Sequence, residues 1–286
     1  MSTKYVLFIP QGGINDCFAR ITDVITYCKN NKRTLLLDMT NTRYAINFSD
    51  YFDIKDSGCD IIYNSNKIKD IFENNKLTVH PNNLDFKLID LVNTEKERVC
   101  FSYTPGKPYF SYKNIPLELP SNVNEDVILH SRCGGGNGFL LFSKCIFLKG
   151  NVKNTCKQKM AVLQDRYLCI QIRNTDLKCD YIKLYNTNKE YIHSFNEIYI
   201  CTDDKVVVEF YKSKKLNIHC FTTFPIIPSR NLHASDVPPS IKIQDLMVDI
   251  FMATNTTELL STSKGGFIDL LRKCNQDKKS ILQKLE

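Results

Sequence analysis

"LCIQIRNTD", residues 168–176, decides how the rest of the chain is read. The run from Tyr167 to Ile172 has the apolar, β-branched character of a buried strand, and it stops where Arg173 begins. Asn174, Thr175 and Asp176 are turn chemistry. An arginine at that point is either a surface charge that closes the strand, or a guanidinium aimed into the crevice where open α/β sheets bind ligands.

Working outward, strands and helices alternate. Upstream, "YVLFIP" reads as a strand, "QGGIND" as a glycine-bearing turn, and "CFARITDVITYCKNNK" as a helix in which Phe18, Ile21, Val24, Ile25 and Cys28 keep helical spacing. Strand "RTLLLD" completes a βαβ unit. Residues 44–127 hold short apolar runs ("CDIIY", "KLTV", "RVCFSY") among Asn, Lys and Pro. "DVILHSRCGGGNG" ends a strand in a glycine-rich loop, and "FLLFSKCIFLKG" reads as a helix. Downstream come helix "CKQKMAVLQ", strand "YLCIQI", strand "EIYICT", helix "KVVVEFYKSKK" and strand "NIHCFT". A Pro- and Ser-bearing loop at 225–240 leads to helix "KIQDLMVDIFMATN", strand "TELLST", loop "SKGG" and helix "FIDLLRKC". This alternation predicts an α/β chain of two Rossmann-like domains, 1–150 and 151–286, with mostly parallel sheets and a cleft between them.

Composition sets the broad class. The 286 residues are 43% hydrophobic and 24% charged, a soluble globular balance, and the net charge is +7. No block of five or six like charges and no concentrated basic stripe is present, so a nucleic-acid partner is not expected. A basic chain does favour anionic ligands. No apolar stretch approaches the roughly twenty residues of a membrane span, and the N-terminal apolar run is too short for a signal peptide. Of the twelve cysteines, Cys28, Cys169, Cys201, Cys220 and Cys274 lie inside apolar segments, and no CxxC pair occurs. The expectation is a reduced, cytoplasmic protein of viral or bacterial type. No signature of oligomerisation is read.

Four loops fall at the carboxyl ends of expected strands: Gly12-Gly13-Ile14-Asn15, Arg173 to Asp176, Thr202-Asp203-Asp204, and Ser261 to Gly266. Their compositions are complementary. Gly12-Gly13 permits close backbone approach, and "TSKGG" before a helix offers hydroxyls and amides to phosphate. Arg173 can fork onto a diphosphate, and Asp203 and Asp204 can accept from a base or ribose. Blander readings stand beside these: the glycine pair as a simple turn, and "TDD" as a helix N-cap. "DD" also suits a divalent ion, although no second acid cluster of ligand spacing accompanies it. "TSKGG" lacks Walker spacing, and no Ser/His/Asp or Cys/His signature is found.

Taken in order, "NNKRTLLLDMTNTRYA", "IQIRNTD", "EIYICTDDKVVVEFYKSK" and "DIFMATNTTELLSTSKGGF" resemble four stretches of the α1,6-fucosyltransferases, a family that includes the nodulation fucosyltransferases of rhizobia. The resemblance implies a GT-B-like, inverting enzyme that moves fucose from GDP-fucose to a glycan hydroxyl, with the GDP-sugar as substrate, no cofactor and no metal. It implies that Arg173 holds the β-phosphate and stabilises the departing GDP. Gly12, Gly13, Asn15, Gln171, Asp176, Asp203, Asp204, Thr262, Ser263 and Gly265 would contact the donor, and Asp180 would take the acceptor's proton. Gln171 stands where the family has a histidine, and Asn174 where it has a second arginine. The same fold with another nucleotide sugar, such as a xylose donor, therefore remains an alternative. So does a non-catalytic nucleotide- or glycan-binding protein.

Overall fold

In the computed structural model of the protein, residues 3–92, 99–103, 105–226, 232 and 235–286 are described. The chain divides into two compact units, 1–147 and 148–286.

The first unit is built on β1 (Tyr5–Pro10), whose residues from Val6 onward are all buried. Helix α1 (Ile14–Asn31) follows, with Phe18, Ile21, Val24, Ile25 and Cys28 buried, as their spacing predicts. Lys32, in the left-handed region at φ 50°, closes the helix by donating its N–H to Cys28 and Lys29 carbonyls. After β2 (Thr34–Leu37) the chain is irregular and makes only short elements. These are β3 (Phe52–Ile54), β4 (Ile61–Ile62), α2 (Ser65–Asn74), β5 (Val79–His80), α3 (Leu88–Leu91), β6 (Ser102–Tyr103), β7 (Phe110–Tyr112) and β8 (Ile115–Pro116). The long strand β9 (Val127–Arg132), α4 (Phe139–Lys144) and β10 (Ile146–Leu148) complete the unit.

Its main sheet has the order β4-β2-β1-β9-β5, parallel throughout. Both faces are covered, which is why β1 reads as a continuous apolar run rather than an alternation. Leu7 and Ile9 face a cluster containing Leu36, Ile68, Leu117 and Leu129. Elsewhere in the unit Phe18 stacks on Phe142, with ring centroids 5.7 Å apart. Each such fully buried side chain contributes about 1.5–3 kcal/mol.

The second unit comprises α5 (Gly150–Met160), β11 (Leu168–Ile172), α6 (Tyr181–Thr187), α7 (Lys189–His193), β12 (Ile198–Thr202) and α8 (Lys205–Lys212), then β13 (Ile218–His219), α9 (Pro239–Asn255), β14 (Glu258–Leu260), α10 (Gly266–Gln276) and α11 (Lys278–Leu282). Its sheet order is β13-β12-β11-β14, again all parallel. Leu168, Ile170 and Ile172 pack with Ile200, Val207 and Tyr211 on one face. Helix α9 is buried continuously from Met247 to Thr254. Six thiols, Cys17, Cys28, Cys156, Cys169, Cys201 and Cys274, are free and buried. Among the described residues no helix is long and apolar enough to cross a membrane.

Two expected elements are corrected. "FLLFSKCIFLKG" is not one helix: α4 stops at Lys144, and Ile146–Leu148 form a strand that pairs with β3. The next helix starts at Gly150, six residues before "CKQKMAVLQ", and ends at Met160, ahead of Ala161 to Gln164. Helices α6 and α7, not foreseen, follow the RNTD loop directly. Of the loop at 225–240, residues 227–231 and 233–234 lie outside the described residues, as does Arg98 at the start of "RVCFSY".

Candidate functional site

In the second sheet β11 sits between β12 and β14. The chain leaves β11 for one side and later crosses to the other, so the carboxyl end of β11 is the topological switch point, where open α/β sheets bind ligands. Arg173 is the first residue beyond it.

The loop after β14 holds Arg173 by its backbone. The Arg173 N–H donates to Ser263 Oγ at 3.0 Å. Ser263 is itself fixed, its N–H donating to Ser261 Oγ at 3.0 Å, and Ser261 donates in turn to Gln171 Oε1 at 2.8 Å. Cys179 Sγ lies 3.1 Å from Ser263 Oγ, and the Cys179 N–H donates to the Arg173 carbonyl at 3.1 Å. Residues 173–179 thus form a closed loop pinned to its neighbour. Gln171 is buried, and its amide oxygen holds Ser261.

The guanidinium of Arg173 is gripped on one edge. Its Nε donates to Asp176 Oδ1 at 2.7 Å and its Nη2 to Asp176 Oδ2 at 2.6 Å, a fork-to-fork pair. On the other side, Nη1 faces the backbone of Gly265, where an added Cβ would come within 3.5 Å. Gly265 has φ 114° and ψ 173°, a conformation open essentially only to glycine.

The loop after β12 completes the set. Asp203 Oδ1 accepts from the Asn174 N–H at 2.7 Å, and its Oδ2 accepts from Thr175 Oγ1 at 2.6 Å. Burial pushes the Asp203 carboxyl above its usual range, opposed by the hydrogen bonds from Thr175 and Asn174. Asp204 Oδ1 caps α8 through the Val206 N–H at 2.9 Å, while Oδ2 accepts from Asn174 Nδ2 at 2.8 Å. Both aspartates therefore organise the loop that carries Arg173.

Asp180 caps α6, accepting from the Lys183 N–H at 2.9 Å, and is exposed. It lines an open pocket of about 760 Å³ together with Thr262 and three lysines, Lys178, Lys183 and Lys264. Seven of the expected residues thus come together within this unit: Arg173, Asp176, Asp203, Asp204, Gln171, Ser263 and Gly265. Asp180 and Thr262 meet in the adjoining pocket.

Gly12, Gly13 and Asn15 belong to the first unit, at the carboxyl end of its central strand β1. Gly12 has φ 97°, and a Cβ there would meet the Asp16 carboxylate at 2.9 Å. Asn15 is buried, with both ends of its amide turned to the glycine-rich loop after β9: Oδ1 accepts from the Gly138 N–H at 3.0 Å, and Nδ2 donates to the Gly136 carbonyl at 3.3 Å. Arg20 reaches the same loop, donating to the Gly135 carbonyl at 2.6 Å, and shares Asp23 with Arg132. His130 is structural. It stacks on Phe8, sets Nδ1 2.7 Å from the Leu117 carbonyl, and burial lowers its pKa to about 4, so it is neutral at pH 7.

Several members of this arrangement were not singled out in the sequence. Thr175 and Ser261 are small hydroxyls in polar loops, indistinguishable by type from solvated neighbours, and Cys179 looked like one thiol among twelve. Lys178 and Lys183 carried no motif. Their signal is spatial, since both line the same pocket as Lys264. Among the described residues, no group of three or more His, Cys, Asp or Glu is arranged to hold a metal ion.

No protein-family model and no curated protein sequence matches the chain. Solved structures do. The chain is similar to fucosyltransferase NodZ from Bradyrhizobium at 12% identity and a TM-score of 0.60, covering 95% of this chain and 93% of that one. NodZ α-1,6-fucosyltransferase soaked with GDP-fucose matches at 13% identity and 0.58, covering 95% and 92%. POFUT1 in complex with GDP-fucose matches at 11% and 0.51, covering 95% and 94%. The mixed α/β fold, with its mostly parallel sheets, is thus structurally similar to the GT-B fucosyltransferases over nearly the whole chain.

Proposed function

We propose that the protein is a glycosyltransferase that moves fucose from GDP-fucose to a glycan hydroxyl, with inversion and without a metal ion. The observation that carries this reading is Arg173 at the switch point of the second sheet, its backbone locked to Ser263 and its guanidinium oriented by Asp176. The fold is shared with proteins whose structures were solved with GDP-fucose or GDP. On this reading residues 151–286 bind the nucleotide sugar and residues 1–150 serve the acceptor side, with the Gly12, Gly13 and Asn15 loop of that domain facing the donor.

The chemistry is a direct displacement. An acceptor hydroxyl attacks C1 of the sugar, the bond from C1 to the β-phosphate oxygen breaks, and GDP departs with that electron pair. Asp180 takes the hydroxyl proton. Arg173 Nη1, on the side of Gly265, meets the charge that grows on the β-phosphate, and Thr262 and Ser263 flank it. Because Asp176 fixes the guanidinium before the donor arrives, little reorientation is needed as the charge develops.

Two neighbouring readings keep the nucleotide site and change the chemistry. Gln171 and Asn174, which stand where the family has a histidine and a second arginine, keep open a different nucleotide-sugar donor, such as one carrying xylose; Gln171 is buried and accepts from Ser261. The capping bond on Asp180 favours a protein that binds nucleotide without turnover. Incubating the protein with GDP-fucose, GDP-xylose and UDP-xylose, a panel of glycan acceptors and EDTA separates the three. The proposal expects EDTA-insensitive transfer from GDP-fucose alone, with the inverted anomer seen by NMR, and little turnover by Asp180→Asn at near-normal GDP affinity. Transfer from a xylose donor instead, or GDP binding with no turnover on any acceptor, contradicts it.

A further inference from the structure

The charges around Arg173 do not suit an anion by themselves. Arg173 is matched by Asp176 at 2.6 Å, and Asp203 and Asp204 stand on the adjoining loop. One cation against three carboxylates is a poor seat for a group carrying two or three negative charges. The pocket beside it has the opposite balance. Lys178, Lys183 and Lys264 line it with a single carboxylate, Asp180. Elsewhere on the surface Lys69, Lys113 and Lys205 each have a carboxylate within 4 Å, whereas among the described residues no carboxylate pairs with the pocket lysines, Lys178, Lys183 and Lys264. They come from different places, the 173–180 loop, the first turn of α6 and the loop after β14, and converge on one concavity of about 760 Å³. Lys264 is joined directly to Gly265, the residue against the Arg173 guanidinium.

We infer that this lysine pocket is the diphosphate seat: Lys264, with Lys178 and Lys183, supplies the positive charge that binds the pyrophosphate of the nucleotide ligand, while Arg173 orients it from the rim. The inference rests on the nucleotide-sugar reading for the identity of the ligand, but not for its charge. Lys264 is the principal member, placed between Thr262 and the bare backbone of Gly265. As flexible ammonium groups on exposed stems, the three follow the diphosphate without the geometric demand of a fork, and their contribution is screened by salt.

The test is calorimetric titration of inorganic pyrophosphate, GDP, GMP and guanosine into wild type, Lys264→Ala, Lys264→Arg and the Lys178→Ala/Lys183→Ala pair, at low and high salt. All four proteins are first compared by thermal melting, and these exposed positions are expected to melt alike. Lys264→Ala is expected to weaken pyrophosphate and GDP by about tenfold or more. Guanosine should be unaffected, and Lys264→Arg should restore much of the loss. Raised salt should weaken diphosphate binding less in the alanine variants than in wild type. If no nucleotide is preferred but pyrophosphate still binds through the lysines, the anion seat stands and the GDP reading fails. If GDP binds equally well to wild type and all three variants, the donor reading stands and the lysine seat is overturned. Binding of pyrophosphate unchanged by the substitutions overturns it as well.

Discussion

The backbone N–H of Arg173 donates to the side chain of Ser263 at 3.0 Å, tying the loop after β11 to the loop after β14 across ninety residues of sequence. One hydroxyl thereby sets the position of the guanidinium, and it touches Cys179 as well. Replacing it should disturb the site before it disturbs the fold.

Ser263→Ala removes the partner of a partly buried backbone N–H, a loss of about 1–3 kcal/mol. Chemical denaturation should register that loss. GDP titration should show a weaker complex, because the 173–179 loop is no longer held to its neighbour. Unchanged GDP affinity in a destabilised protein would mean that the tie is purely structural.

Gly265→Ala asks for a side chain at φ 114° and ψ 173°, at a cost of about 1–3 kcal/mol, and sets a methyl 3.5 Å from Arg173 Nη1. A lower melting temperature is expected together with impaired GDP binding. Gly13→Ala is the control within the first unit: Gly13 is extended at φ −76°, nothing lies within 4 Å of its Cβ position, and its melting temperature should barely move.

The second unit carries a pH-dependent element away from the site. Asp249, on α9, accepts from the Tyr199 hydroxyl at 2.5 Å inside the core, and burial, with Asp245 adding to it, raises its pKa to about 7. The unfolded chain ionises this group near 3.8, so between those values the folded state binds the extra proton. The contribution of this group to stability is therefore greatest in acid and falls as pH rises from about 4 to about 7. The scale is about 1.4 kcal/mol per pKa unit, a few kcal/mol in all. Asp249→Asn mimics the protonated acid. Its melting temperature should exceed that of wild type at pH 8 and converge with it at pH 4.5. A melting-temperature difference between Asp249→Asn and wild type that is the same at both values would contradict this account of Asp249.

What the sequence revealed follows the length of the elements. β1, β11 and β12 are apolar runs of five or six residues with turn chemistry beyond them, and both their place and the loops at their carboxyl ends were legible. Between residues 44 and 127 the strands among the described residues are two or three residues long, too short for any period to register. "FLLFSKCIFLKG" misled because an apolar run of that length suits helix and strand alike, and it proved to be one of each. At the site, residue type indicated position better than employment. Asp203, Asp204, Gln171 and Asn15 stand at the mouths of the expected strands, yet their side chains hold neighbouring loops. Hydrogen bonds between loops thirty to 120 residues apart leave no trace in local pattern. The lysine pocket was invisible for the same reason.

The central claim is that Arg173 serves a bound nucleotide diphosphate. Calorimetric titration of GDP and UDP, with and without EDTA, into wild type and Arg173→Ala tests it most directly. The account predicts that GDP binds in preference to UDP, that EDTA changes nothing, and that Arg173→Ala lowers GDP affinity by roughly 10- to 100-fold while the protein remains folded. A folded Arg173→Ala protein that binds GDP as tightly as wild type would contradict it, and would leave the arginine as a surface charge at the end of a strand.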